Sequence, residues 1–453
     1  MPLPLAKTAE AKRRALSDAL SEKIGTGLLY GTFALLMFGP LAFGATEPWS
    51  MFALEAGAIL LALVWIAKQW IDGEIRIIPN PLFLPMGIFG LLVLAQIVFR
   101  SSAYPHDTIS SALLFVAYAI LCFLSSQTLL RGAQARKLAL IFCIYGSVVA
   151  AFALLQGISP NGRLYWLRQP RLGGWIYGPY VNHNHYAGLM ELLIPIPLVL
   201  ALSRLAPDKE RIAAACAAAV MAGTIFLSGS RGGMVALLAE LLVLAVVLVK
   251  QRYDLRAALA LGLFLLLVVG LLTWLGGDEL TRRLATMHSS HTDISNDMRF
   301  QINRDGLRMF WKRPILGWGL GCFPVAYPQF RTFYTNFFIN QAHDDYLQLL
   351  VETGLLGFGT VVWYLVVLFR RAGKKMKNWP SEVGGAVTLA CVLGIAGILV
   401  HSAVDFNLEI PANAALFYVF CTVAASEPMV VPKRKRKPVQ PPAEETLPAS
   451  EVV

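Results

Sequence analysis

The feature that most constrains this chain is a near-unbroken succession of apolar runs, each about long enough to cross ~30 Å of hydrocarbon as a helix. They fall near residues 24–44, 49–69, 80–99, 109–129, 137–156, 186–204, 211–228, 232–250, 255–275, 346–370, 383–402 and 411–427. In lipid the backbone N–H and C=O groups have to be satisfied within the segment itself, so runs of this length are helices. Hydrophobic residues make up 56% of the 453 positions and charged residues only 15%, against roughly a quarter charged in a soluble domain. The expected fold is therefore an all-α polytopic membrane protein of about twelve transmembrane helices, with one large, partly helical loop before the tenth.

Charge orients the spans, because basic residues collect on the cytoplasmic side. Lys68, Arg76, Arg131, Arg136, Lys137, Arg204, Lys209, Arg211, Lys250, Arg252, Arg256, Arg370 and Lys374 all fall on one set of connections, and both tails share their sign. An even number of spans puts both termini in the cytoplasm. Residues 1–23 read as an N-terminal tail, 24–427 as the transmembrane body with its large outer loop at 276–345, and 428–453 as a disordered C-terminal tail. The net charge of +11 does not point to nucleic acid, since the Lys and Arg residues lie between hydrophobic runs. Five of the six cysteines are in apolar spans and only Cys322 is in a long loop, so no disulfide framework or zinc cluster is expected.

Two outer connections break the charge rule. Residues 157–185 carry Arg163, Arg168 and Arg171, and residues 276–345 carry Arg282, Arg283, Arg299, Arg304, Arg308, Lys312, Arg313 and Arg331. A short third turn, SGSRGG, puts Arg231 at a helix start. Arginine gathered on the side normally poor in it fits anion binding. At Arg231, a helix N-terminus, glycine-exposed N–H groups and one guanidinium would make a compact phosphate site, or else a helix start with an interfacial arginine.

The stretch QAHDDYLQLLVETG, residues 341–354, takes a histidine and two aspartates into an apolar helix. On a helical period Gln341, Asp345, Gln348 and Glu352 share one face and His343 lies on another. Asp344 and Asp345 either cap the helix or orient His343. The loop segment from Ser295 to Trp311 is amphipathic, with Met298, Ile302, Gly306 and Met309 near one face, and suits the membrane surface. GWGLG after it suits a turn or a backbone nest. Asn184 and His185 belong to an HNH run that lacks the carboxylates of a metal site. His401 and Asp405 are spaced to pair on a helix end, and simple capping accounts for them equally well. Glu55, Glu191, Glu240 and Glu352 are charges inside spans that this reading leaves unassigned.

Four segments, in order, resemble the O-antigen ligase / O-antigen polymerase family of bacterial membrane glycosyltransferases: YGPYVNHNHYAGLMELLIPIPL, LSGSRGGMVALLAELLVL, RPILGWGLGCF and QAHDDYLQLLVETGLLG. They cover roughly residues 175–370. The usual form of the last motif has Asn after His, where this chain has Asp344. The resemblance implies residence in the inner membrane, a periplasmic large loop, and transfer of a glycan from a polyprenyl-diphosphate donor without metal, nucleotide sugar or other cofactor. It implies His343 as the base toward an acceptor hydroxyl and Arg231 as the group stabilising the diphosphate. Arg299, Arg308, Arg163, Arg168, Arg171, Asn184, His185 and Asp344 are candidates for substrate contact. The acceptor is a lipid A core for a ligase, a growing polysaccharide for a repeat-unit polymerase, or a protein for an oligosaccharyltransferase; the single dominant loop before the His343 helix favours the ligase. A transporter or lipid flippase would instead show charges and broken helices in mid-membrane.

Overall fold

The computed structural model describes residues 4–170, 174–251, 296–336 and 338–427, with backbone alone for 4–15 and 296–297. The expected span at 255–275, Arg171, Arg282, Arg283 and the tail at 428–453 lie outside the described residues. Among those described, the chain is a helical bundle without a β-strand, and nine helices are long and apolar enough to cross a membrane.

The elements run α1 (Pro4–Leu41), α2 (Pro48–Asp72), α3 (Phe83–Val98), α4 (Pro105–Thr128), α5 (Gly132–Ile158), α6 (His183–Leu193) and α7 (Pro195–Leu202). They continue with α8 (Asp208–Ser228), α9 (Arg231–Lys250), α10 (Asn296–Lys312), α11 (Phe323–Ala326), α12 (Asp345–Lys375), α13 (Val383–His401) and α14 (Pro411–Ala425). The expected N-terminal tail is helical from Pro4 and continuous with the first span. α3 and α14 are shorter than the runs that signalled them. α14 starts at Pro411 as expected, after a polar turn over residues 402–410, and ends at Ala425.

α13 is the centre of the bundle, packed against α9, α14, α6 and α7. α6 is buried at every position except Asn184, and it stops at Ile194 before Pro195. Its Gly188 faces the Asn407 side chain so closely that any Cβ would collide with it. α8 and α9 form a tight hairpin. Gly229 closes α8 in the left-handed region (φ +76°), and the Ser230 hydroxyl caps α9 by accepting from Gly233 N at 3.1 Å.

The loop before α12 is tied into the bundle. α10 lays its apolar face on α12 and the segments around it: Ile302, Met309 and Phe310 join Trp318, Phe323, Leu347 and Val351 in a second core. This face therefore covers protein rather than the membrane surface, while Phe300 and Trp311 are exposed on the other side. α12 is itself broken at Gly354, whose φ of +64° and ψ of −167° are essentially restricted to glycine. The backbone groups around the break bond with the incoming loop. Leu355 N donates to Pro314 O (2.8 Å), Trp318 N to Val351 O (3.0 Å) and Gly319 N to Glu352 O (2.9 Å). Gln96 of α3, fully buried, completes the seam by donating to Leu316 O (2.7 Å) and Glu352 O (2.9 Å).

Gly354→Ala is expected to lower thermal stability in detergent by about 1–3 kcal/mol, because a Cβ there meets Ile315 backbone. Gly359→Ala, on the same helix with open space around it, should be neutral or stabilising by up to ~1 kcal/mol. Equal Tm for both variants would contradict the stitched-break account.

Candidate active site

The polar turn between α13 and α14 gathers the site. Asp405 is its buried anion, 1% exposed. Asn184 Nδ2 donates to its Oδ2 at 2.5 Å and Phe406 N to its Oδ1 at 2.8 Å. The Arg299 guanidinium, from α10, donates to Val404 O at 2.7 Å and stands 3.9 Å from Asp405 Oδ2. His343 Nδ1 is 3.9 Å from Asp405 Oδ1. Burial by itself would raise the Asp405 carboxyl, but His185, His401, His343 and Arg299 outweigh it and hold the group below the usual carboxylate range. Phe406, next in sequence, separates two imidazoles edge to face: His185 at 4.7 Å and His343 at 4.8 Å between ring centroids.

His343 is not on the helix that its motif suggested. α12 begins at Asp345, and His343 precedes the cap with φ +57°, a conformation uncommon for a residue with a side chain. Asp344 is the N-cap, its Oδ1 accepting from Tyr346 N and Leu347 N, both at 3.0 Å. Burial raises its carboxyl, partly offset by those two bonds. Asp345 faces the other way and joins α12 to the turn: its Oδ2 accepts from Ser402 Oγ (2.6 Å) and Leu408 N (3.1 Å). Asp344 thus caps α12 and Asp345 bonds to the turn, and Asp405, 62 residues on, brings a further carboxylate to within 3.9 Å of the histidine. Gln341 is also outside the helix, yet it meets Gln348 because the segment doubles back, with Ala342 N donating to Gln348 Oε1 at 2.9 Å.

Arg231 is the first residue of α9. Its side chain is exposed and makes no ion pair among the described residues. The following Gly232 touches the polar turn: a Cβ there would lie 2.5 Å from the His401 ring and 3.2 Å from Val404. The helix start carrying Arg231, the Arg299 bond to Val404, and His343 beside Asp405 thus converge on residues 401–406.

The other expected substrate contacts are distributed differently. Arg168 pairs with Glu47 at 2.9 Å and lies over the Phe43 ring. Arg308 pairs with the buried Asp305 at 3.3 Å, and Arg163 is exposed in the loop after α5. Of the aromatic residues in the same loop, Tyr165 donates to Leu41 O at 2.6 Å and stacks on Phe152, while Trp175 lies against the His183 ring at 4.6 Å. The end of the GWGLG segment turns its backbone on a side chain of the protein itself. Glu352 accepts from Gly321 N (2.8 Å) and Phe323 N (3.1 Å). For His401 and Asp405 the sequence leaves pairing and capping open; the direct side-chain partner of His401 is Glu191, with Nδ1 2.7 Å from Oε1. From sequence Asp405 reads only as a pairing or capping residue and Phe406 is not singled out, and the density of polar groups in HSAVDFN is the available signal.

Residues 216–363 match the family model described as O-antigen ligase. The matched span includes Arg231, Arg299, His343 and Asp344, and stops short of Asp405. None of the curated proteins matches the chain.

A carboxylate held below its ordinary value stabilises the fold above the unfolded pKa, and that stability is lost as pH falls through the native value. Wild type is therefore expected to exceed Asp405→Asn in Tm at neutral pH, with a gap that persists down to about pH 4 and closes only below it. Thermal melts in detergent across that range check this; equal melts at neutral pH would contradict it.

Proposed function

We propose, from the match of residues 216–363 to the O-antigen ligase family model, that the chain transfers a glycan from a polyprenyl-diphosphate donor to an acceptor hydroxyl. The observation carrying this reading is His343, fixed in a left-handed backbone conformation 3.9 Å from the buried Asp405. In this reading the acceptor hydroxyl gives its proton to His343 while its oxygen attacks the anomeric carbon. The bond from that carbon to the diphosphate breaks, and the lipid diphosphate leaves with the electron pair. Displacement in one step inverts the anomeric centre. Asp405, 3.9 Å from Nδ1, stabilises the imidazolium that forms by its charge, and Nε2 takes the proton in this scheme.

The departing diphosphate develops charge that has to be met by fixed cations and N–H dipoles. Arg231 supplies a guanidinium at the N-terminus of α9, whose dipole favours an anion. Arg299, 26% exposed and anchored at Val404, is the second cation. Arg168 and Arg308, paired with Glu47 and Asp305, have a smaller part in this scheme.

The site end of the bundle faces the periplasm in this reading, because the basic connections lie at the opposite end. Ligase is favoured over polymerase and protein glycosylation by the large loop, whose α10 is docked on the helix behind His343. A transporter would show a broken helix, and α12 is broken. Its freed backbone groups, however, are occupied by residues 314–319 rather than turned toward a substrate path.

His343→Ala and Arg231→Ala should each reduce glycan transfer by at least about a hundredfold in membranes supplied with lipid-linked glycan, while the protein still inserts. Mass analysis of the product distinguishes attachment to lipid A core from chain lengthening and from glycoprotein. Full activity in both variants would overturn the assignment.

A further inference from the structure

Three ionisable side chains are sealed in the bundle behind the Arg231 turn: His401 (1% exposed), Glu191 (0%) and Glu240 (1%). His401 and Glu191 form a direct pair, Nδ1 to Oε1 at 2.7 Å, between the end of α13 and the last turn of α6. Burying such a pair is costly, and apolar side chains of similar size would fill the space at least as well for stability. Ionisable groups kept at membrane depth are usually kept for a function.

The geometry gives the pair a task. With Nδ1 held by Glu191, the opposite edge of the imidazole lies against the first turn of α9. A Cβ on Gly232 would be 2.5 Å from both His401 Cδ2 and Nε2. The glycine is what allows this approach. Gly233, beside it, likewise admits Ala187 of α6, where a Cβ would lie 2.7 Å away. The position of the α9 N-terminus, and with it Arg231, is thus set by a ring that cannot rotate without breaking its bond to Glu191. The same residue starts the polar turn, since Val404 N and Asp405 N both donate to His401 O (2.9 and 3.1 Å).

We propose that His401, clamped by Glu191, is a positioning residue that holds the Arg231 turn in register for the donor's diphosphate. This rests on the reading of Arg231 as the diphosphate-binding group. Glu191 acts one step further back, by fixing the ring. Glu240 lies deeper on α9 beside Gly397 and is not hydrogen-bonded to His401, which makes it the control for loss of a buried acid as such.

The test measures binding of undecaprenyl diphosphate and of undecaprenol to the full-length protein in detergent, for wild type, His401→Gln, Glu191→Gln, Glu240→Gln and Arg231→Ala. His401→Gln and Glu191→Gln are expected to weaken diphosphate binding about tenfold, the order of a helix-terminus charge contribution. Undecaprenol binding should not change in either, and Glu240→Gln should match wild type for both lipids. Should His401→Gln fail to fold, Gly232→Ala displaces the ring with both partners retained and is expected to show the same selective loss. Wild-type diphosphate affinity in both dyad variants overturns the proposal, as does an equal loss in Glu240→Gln or a parallel loss of undecaprenol. If Arg231→Ala binds diphosphate as wild type does, the Arg231 reading itself fails, whatever the dyad variants show.

Discussion

The buried carboxylate of Asp405 is the interaction on which the arrangement of this end of the bundle depends. It draws Asn184 from the start of α6, Arg299 from α10 and His343 from the segment before α12 onto one short turn. Each of these would be expensive to bury alone, and the carboxylate would be expensive without them. Because the groups are mutually compensating, four chain segments far apart in sequence are tied to one point. Removing any single member leaves the others with uncompensated charge or unmet hydrogen bonds.

A second constraint comes from the membrane setting. Irregular backbone at membrane depth persists only where protein satisfies its polar groups. The Gly354 break in α12 obeys this rule through residues 314–319, Gln96 and the Glu352 carboxylate. The consequence reaches the site. The seam fixes the large loop against α12, so that α10 presents Arg299 to the same turn that Asp345 anchors through Ser402 and Leu408. Loop, broken helix and polar turn therefore act as one support for His343.

How much was legible in the sequence varied with the range of the interaction. Apolar length announced the spans, because the cost of exposed backbone in lipid is local to each segment. The SGSRGG turn was legible as a stop and start, since Gly229 and Ser230 act within four residues. His343 stood out as a candidate, but its period placed it on a helix face, and the structure has it before the cap. Helical periodicity assumes that the helix has begun, and Asp344 decides where it begins. Asp344 and Asp345 were interchangeable in sequence; only their partners, two amides for one and Ser402 and Leu408 for the other, separate them.

The amino-acid sequence by itself determined the class of fold, the number of apolar passes it could signal, the unusual gathering of arginines in a few connections between them, and the candidate status of His343 and Arg231. These follow from composition and from forces acting over a turn or two of helix. Tertiary structure alone decided that Asp405 comes within 3.9 Å of His343, that Arg168 and Arg308 are paired with Glu47 and Asp305, and that Glu191 holds His401 against the start of α9. Those pairings join residues up to 210 positions apart. Electrostatic and hydrogen-bond complementarity depends on distance in space, and no spacing along the chain encodes that once helices from both ends of the sequence meet in one bundle.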